Sequence, residues 1–215
     1  MNVAIFSDVH GNLIALEQFL VSTKDFAEAY ICLGDTVNYG PWNDECLQLI
    51  LSLPNITLLM GNHEEIFNKD IDLIDELPLV QQFTYKSIQY FTKFNLIKQL
   101  PKQLDINGYC CTHTIGRRSI YSDTEIVINQ NYIIGHSHHQ YRIERTGCSI
   151  ANPGSVGQNR KWINVVDYLI YNLETNRFEF KSIPYNVDLF ISELRARKYP
   201  EKCIEYYVNK NRLSE

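Results

Sequence analysis

Near its N-terminus the chain repeats one pattern three times: a short apolar run that breaks off into a cluster of Asp, His and Asn. Residues 3–6 run into Ser7-Asp8-Val9-His10-Gly11-Asn12, residues 29–33 into Gly34-Asp35, and residues 56–60 into Gly61-Asn62-His63-Glu64. Apolar runs this short, bounded by turn residues, read as buried strands. Between them lie stretches with helical spacing. Asn12 can cap a helix whose inner face is Leu13, Leu16, Phe19 and Leu20. Asn43 can cap a second, built on Leu47, Ile50 and Leu51 and ended by Pro54. Such alternation implies parallel strands with right-handed crossovers. It also puts each polar cluster at the C-terminal end of a strand, where open α/β sheets bind ligands. Asn62 and His63 are expected on a tight turn there. Asp8 and His10, two apart, would share one side of an extended chain.

The middle of the chain is helical in pattern. Pro78 suits a first helical position, and Val80, Phe83, Tyr90, Phe91 and Phe94 supply apolar faces as far as Leu100-Pro101. Asn95 is the expected break, and the stretch reads as a scaffold or lid. From Gln103 the pattern turns strand-like. Asn107-Gly108 between apolar runs signals a tight hairpin whose second arm leads to Cys111-Thr112-His113-Thr114. Strands are expected at 125–128 and 132–134, the latter ending in Gly135-His136-Ser137-His138-His139. Two more hairpins pair 141–144 with 148–151 about Thr146-Gly147, and 165–171 with 178–183 about Glu174-Thr175-Asn176. Helices over 187–197 and 201–209 close the chain. No repeat, linker or low-complexity tract interrupts the 215 residues, so one domain spanning 1–215 is expected. Its most economical packing is an α/β fold of two mixed β-sheets face to face, with helices outside.

A net charge of −5 with scattered Lys and Arg gives no sign of a general nucleic-acid or anionic-membrane binder. No stretch approaches the roughly 20 apolar residues that span a bilayer. Asp8 interrupts the first apolar run early, which does not fit a secretory signal, so the cytoplasm is expected. Thiols stay reduced there, and the six cysteines read as packing residues. Cys110-Cys111 is the pair to watch, since Cys111 would share a strand face with His113.

Five of the six histidines stand in clusters behind apolar runs. With Asp8, Asp35 and Asn62 they make an imidazole, carboxylate and amide set that suits Mn²⁺, Fe, Zn²⁺, Ni²⁺ or Mg²⁺ better than a structural zinc site built on cysteines. Even seven of these eight groups would be too many for one open catalytic ion. They suit two ions sharing a carboxylate, which at roughly 4 Å can hold a bridging hydroxide and clamp the oxygens of a displacement at phosphorus.

Together, Asp8-x-His10, Gly34-Asp35, Gly61-Asn62-His63-Glu64, His113 and Gly135-His136-x-His138 resemble the five-block signature of calcineurin-like metallophosphoesterases. Asn152-Pro153-Gly154-Ser155 and Tyr39-Gly40-Pro41 are similar to its small bacterial-type phosphodiesterase branch. The resemblance implies a two-sheet sandwich flanked by helices, the four-layer α-β-β-α arrangement. It implies that Asp8, His10 and His138 hold one metal, Asn62, His113 and His136 the other, and that Asp35 bridges them. The cofactor would be two divalent transition-metal ions, Mn²⁺ first among them. His63 would lie outside the metal shell, as general acid or stabiliser of the leaving oxygen. His139 reads as a bystander, and Asn152-Pro153-Gly154-Ser155 as a supporting turn. Arg117, Arg118, Arg160 and Tyr39 are candidates for substrate contact, and Trp42 and Tyr121 for the cleft wall. Whether the 114–131 loop selects substrate stays open.

The second block departs from the Ser/Thr phosphoprotein phosphatases, which the resemblance also touches. Their Gly-Asp-x-x-Asp-Arg-Gly stands here as Gly34-Asp35-Thr36-Val37-Asn38-Tyr39-Gly40. Loss of that Arg weakens the reading of a monoester dianion as substrate, because a diester monoanion needs the extra cation less. A phosphodiester therefore leads as substrate, ahead of protein phosphatase or diadenosine-tetraphosphatase-like activity. A non-catalytic metal-binding interaction scaffold is the alternative of another class. Losses among the ligands would be expected of it, and none occurs.

Overall fold

The computed structural model describes residues 1–145 and 147–214, Asp75 in its backbone alone. The first half shows the expected alternation of β1 (Asn2–Phe6), α1 (Leu13–Thr23), β2 (Ala29–Cys32), α2 (Asn43–Leu51), β3 (Ile56–Leu58) and α3 (Asn62–Phe67). Helices α4 (Pro78–Ser87) and α5 (Phe94–Ile97) follow. Then come β4 (Gln103–Ile106), β5 (Tyr109–Thr112), β6 (Asn131–Ile134), β7 (Gln140–Arg145), β8 (Cys148–Pro153), β9 (Val165–Asn172) and β10 (Arg177–Pro184). Helices α6 (Val187–Ala196) and α7 (Glu201–Val208) end the run. No helix among the described residues is long and apolar enough to cross a membrane.

Two five-stranded mixed sheets result, ordered β10-β9-β1-β2-β3 and β4-β5-β6-β8-β7. In each, three strands run parallel and the rest pair antiparallel. Alternation along the strands builds the sandwich. Val3, Ile5, Ile31 and Leu33 on one face of the first sheet meet Tyr109, Cys111, Ile133 and Ala151 of the second. The intervening Ala4 and Phe6 turn to the helices and pack with Leu16, Phe19, Leu47, Phe190 and Tyr207. Cys111 is thus a core side chain, and burial lifts its thiol to about 12, so it carries no thiolate at neutral pH. Asn107 and Gly108 both have positive φ, the backbone a two-residue hairpin needs.

Several local expectations are corrected. Residues 125–128 are irregular and form no strand. Ile128 instead packs with Ile120 over Ile134 and Ile150, covering the outer face of the second sheet, where no helix lies in that cluster. Asn43 is the first residue inside α2, and its amide donates to Gly40 O at 3.1 Å rather than capping the helix. Asn95 lies within α5. The break falls at residues 91–93, where the Asp44 carboxylate takes the Thr92 N–H at 2.9 Å in place of a helical carbonyl. Asn62 and His63 occupy the first turn of α3 and not a tight turn. The hairpin at Thr146-Gly147 turns on Thr146, which lies outside the described residues. Asn12 does cap α1, accepting the Ala15 N–H, and Pro78 does start α4.

The loops after β2 and β3 come together through two glycines. A Cβ on Gly34 would sit 2.5 Å from Gly61 N, and one on Gly61 would sit 2.2 Å from Asp35 Oδ1. Gly34 also has φ of +111°, which a side chain disfavours. Gly34→Ala is therefore expected to cost more than about 2 kcal/mol and to displace Asp35 and Asn62. Thermal unfolding and metal content would both fall. Unchanged values of both would contradict the close approach.

Candidate metal centre

Five loops, after β1, β2, β3, β5 and β6, deliver the polar clusters to one end of the sandwich, and backbone bonds tie them to one another. Asp8, His10 and Gly11 donate their N–H groups to Gly34 O, Asp35 O and Thr36 O, which carries the β1–β2 pairing on past the strands. Ser155 Oγ and the Gly157 N–H both reach Asp8 O, and the Asn152 amide reaches Gly135 O. The Asn152 to Ser155 segment thus braces two of the loops. Glu64, fully buried, holds a third: it accepts the N–H groups of Asp35, Thr36, Val37 and Gly61 and the Thr36 hydroxyl, at 2.7 to 3.2 Å. Its bond to Gly61 N is half of a capping box, a Glu at the third position of α3 reaching back to the residue before the helix.

Left-handed backbone concentrates here. Asp8, His10, Asp35, Asn38, Tyr39, His136 and His138 all have φ between 51° and 73°. Asp8 and His10 therefore do not share a side of an extended chain, as their spacing alone implies. Each is turned inward by a residue conformation that costs energy and persists because the surroundings enforce it. The same holds for His136 and His138.

Hydrogen bonds fix the tautomers. Nδ1 of His10, His113 and His138 faces the carbonyl oxygens of Val37, Leu33 and Gln158 at 3.2, 3.1 and 2.8 Å. A carbonyl only accepts, so each Nδ1 carries a proton and, in neutral imidazole, each Nε2 presents a lone pair. Those lone pairs point at one another and at oxygens. His10 Nε2 lies 3.3 Å from His138 Nε2, which is 3.2 Å from Asp8 Oδ1. His113 Nε2 lies 3.1 Å from Asp35 Oδ2 and 3.0 Å from Asn62 Oδ1. His136, whose ring no carbonyl orients, can donate from Nδ1 to that same Asn62 oxygen at 2.9 Å. Asp8 Oδ1 is buried without a hydrogen-bond donor. Acceptors so opposed are stable only around positive charge, and the donor set fits divalent metal.

The predicted ligands gather into two groups able to hold an ion, Asp8-His10-His138 and Asp35-His113-His136, with His10-Asp35-His63 between them. Asn62 adds its oxygen beside the second. Asp35 Oδ2 is central, 3.1 Å from His113 Nε2, 3.9 Å from His63 Nε2 and 4.0 Å from His10 Nε2. Burial alone would raise the Asp35 carboxyl and lower these imidazoles. The cationic histidine facing Asp35, His113 first, outweighs burial and holds the carboxyl well below its usual range. Burial also opposes a proton on His113, yet Asp35 outweighs it and lifts that imidazole to about 9. In the metal-free protein a proton thus occupies the position a metal would take.

His63 is buried and differently held. Asn38 Oδ1 accepts the Tyr39 N–H at 2.7 Å, which leaves the Asn38 NH₂ to face both Thr84 Oγ1 and His63 Nδ1, each at 2.8 Å. His63 Nδ1 is therefore an acceptor, and its proton sits on Nε2, pointing into the cluster. Burial, ahead of the neighbouring charges, pushes the His63 imidazole down. Thr84 belongs to α4, so the stretch read as a scaffold or lid also orients a site residue. Thr84 and Glu64 are the positioning residues sequence reasoning missed. Only the spacing of Gly61 and Glu64, a partial capping signal, could have pointed to one of them.

Two cavities meet at the cluster, sharing Asn62, Glu76, Ser119 and His136. One, of about 440 Å³, is also lined by Tyr39, His63, Tyr121, His139 and Arg160; the other, of about 570 Å³, by Glu65, Lys102, His113 and Arg117. Arg117 pairs with Glu65 at 3.6 Å. Arg118 is exposed and lines neither cavity, since its carbonyl closes a local loop with Thr114 Oγ1. Tyr39 is buried edge-on against His10 and His63. Trp42 packs against Phe190 and Arg197, away from the cleft.

The family profile described as calcineurin-like phosphoesterase matches residues 1–155. The chain belongs to that family. An uncharacterized protein of Methanocaldococcus jannaschii is 27% identical over 241 residues, covering 93% of this chain and 94% of that one. Two solved structures share the fold. A metallophosphoesterase from Sphaerobacter thermophilus superposes with a TM-score of 0.79 at 23% identity, over 97% of this chain and 98% of that one. A hypothetical protein from Pyrococcus horikoshii OT3 does so at 0.81 and 16% identity, over 96% and 97%.

Metal binding should compete with the His113 proton. Between about pH 7 and the raised value of about 9, the metal-free protein holds that proton and the metal-bound one does not. Apparent Mn²⁺ affinity should rise with pH across that window, with release of close to one proton from this group. Titration calorimetry in buffers of different ionisation enthalpy checks it, and binding that neither releases protons nor varies with pH would contradict it.

Proposed function

We propose that this calcineurin-like phosphoesterase hydrolyses a small phosphodiester with two divalent ions held at the cluster, Mn²⁺ being the first to test. The opposed acceptor atoms around Asp35 carry this reading. Asp8, His10 and His138 would hold one ion, Asn62, His113 and His136 the other, and Asp35 Oδ2, central among the imidazoles, would be shared. Such ions, when bound, supply an activated water and neutralise phosphoryl oxygens.

The chain's own residues do the rest. Val37, Leu33 and Gln158 keep Nε2 of His10, His113 and His138 free for coordination by holding the other ring nitrogen. His63 presents Nε2–H toward the cluster, where it donates to the oxygen that leaves phosphorus. Tyr39 walls the cavity where the protein phosphatases place an arginine, which favours a monoanionic diester over a dianion.

The deciding experiment is a panel of mono-, di- and dinucleoside phosphoesters assayed with Mn²⁺, Zn²⁺ and Mg²⁺. Cleavage of monoesters alone would overturn the diester reading, and no metal uptake with no turnover would leave an interaction scaffold. His63→Ala should keep both metals by elemental analysis and slow turnover on the order of 10²-fold or more, most for poor leaving groups. Equal loss for good and poor leaving groups would remove the donor role.

A second prediction follows from the Asn38 amide. It can only donate to His63 Nδ1, and so opposes an imidazolium, whereas an Asp there would accept from Nδ1–H and favour it. Activity that needs a protonated His63 fades at high pH. The alkaline limb of the pH–rate profile should therefore lie higher in Asn38→Asp than in the natural protein. An unmoved limb would mean that position 38 does not tune His63.

A further inference from the structure

The 440 Å³ cavity has a cationic wall that the metal cluster does not account for. Arg160 follows β8, Lys210 follows α7, and both line this cavity with His63, His136 and His138. They share one aromatic support. Arg160 Nη1 donates to the Tyr206 hydroxyl at 2.7 Å with its guanidinium 5.9 Å from the ring centre, and Lys210 Nζ lies 4.8 Å from the same ring. Both are half-buried, and among the described residues neither forms a salt bridge. Burial, and next the Arg160 charge, press the Lys210 ammonium down from its usual value. Two cations drawn from distant parts of the chain and packed on one ring repel each other, and an anion between them would relieve that repulsion. The acids on this wall, Asp35 and Glu76, lie with the cluster and at the border with the second cavity. Tyr121 and His139, rings 5.5 Å apart and edge-on, line the same space and offer an apolar surface for whatever links two anionic groups.

We propose that Arg160 and Lys210 form a subsite for a second phosphate group of the substrate, distinct from the phosphorus at the metals. The substrate class is then a phosphodiester that carries a further phosphate, as a phosphorylated nucleotide does. This rests on the phosphodiesterase reading and adds to it. Arg160 and Lys210 both lie beyond the residues that the family profile matches.

The test compares two synthetic substrates with the Mn²⁺-loaded protein: thymidine 5′-(p-nitrophenyl phosphate), and the same ester bearing a 3′-phosphate. The 3′-phosphate should raise kcat/KM by about tenfold, chiefly through KM, the scale of one charge-assisted contact. Lys210→Gln should bring the ratio between the two substrates close to one. A ratio of one in the natural protein, with both esters cleaved and with equal affinity for thymidine 5′-monophosphate, 5′-diphosphate and 3′,5′-bisphosphate, overturns the subsite and leaves the phosphodiesterase reading standing. Equal loss on both substrates in Lys210→Gln overturns it too, since the cation would then grip the scissile phosphate. If neither ester is cleaved, the proposed activity fails and binding decides the subsite separately. Calorimetry with thymidine 5′-monophosphate, thymidine 5′-diphosphate and thymidine 3′,5′-bisphosphate should show one of the doubly phosphorylated ligands binding about tenfold tighter, and Lys210→Gln should abolish the difference. Which of them gains tells whether the second phosphate is contiguous with the first or a nucleoside away. Equal affinity for all three overturns the subsite.

Discussion

A single buried carboxylate holds the geometry on which the site depends. Glu64 takes four backbone N–H groups and a hydroxyl from the loops after β2 and β3. Each of those donors, left buried and unmet, would cost about 1–3 kcal/mol. Glu64 therefore makes the conformation of residues 35–37 conditional on that of residues 61–64. Asp35, at the centre of the imidazoles, and Asn62 and His63, in the first turn of α3, have fixed mutual positions for that reason. The two glycines that let these loops touch are the steric half of the same constraint.

The site is assembled from expensive backbone. Seven of its residues adopt left-handed conformations that non-glycine residues avoid, and several opposed nitrogen and oxygen acceptors lie within 3.3 Å of one another. Neither feature helps the chain fold. Both are sustained by the apolar contact between the two sheets, by β1–β2 pairing continued into the loops, and by the brace from Asn152 to Ser155. The stability of the sandwich is in effect transferred to the arrangement of ligand atoms, which arrive preorganised for a cation.

Much of this was legible because two signals coincided. Periodicity marked the strands, and side-chain chemistry marked their ends, so Asp8, His10, Asp35, Asn62, His113, His136 and His138 could be picked out and do converge. What was illegible depends on contacts between elements distant in sequence. Thr84 is an ordinary helix residue until Asn38 meets it. Residues 125–128 have the composition of a strand, yet every interior edge of the second sheet is already paired and its outer face needs Ile128 as cover. The left-handed turns at Asp8 and His10 replace the extended geometry that spacing suggests, because neighbouring loops impose them. Arg118 resembles Arg117 in sequence and differs only in where a short loop points it.

The irregular stretch between β5 and β6 has two faces with unequal freedom. Ile120 and Ile128 anchor it on the second sheet, while Ser119 and Tyr121 form part of the cavity wall. None of the seven predicted ligands after His113 lies within it until His136. Its polar face can therefore diverge at little cost to metal chemistry, provided that the two isoleucines stay. The two isoleucines thus set where this stretch sits, and its polar residues can be exchanged without moving the sheet beneath.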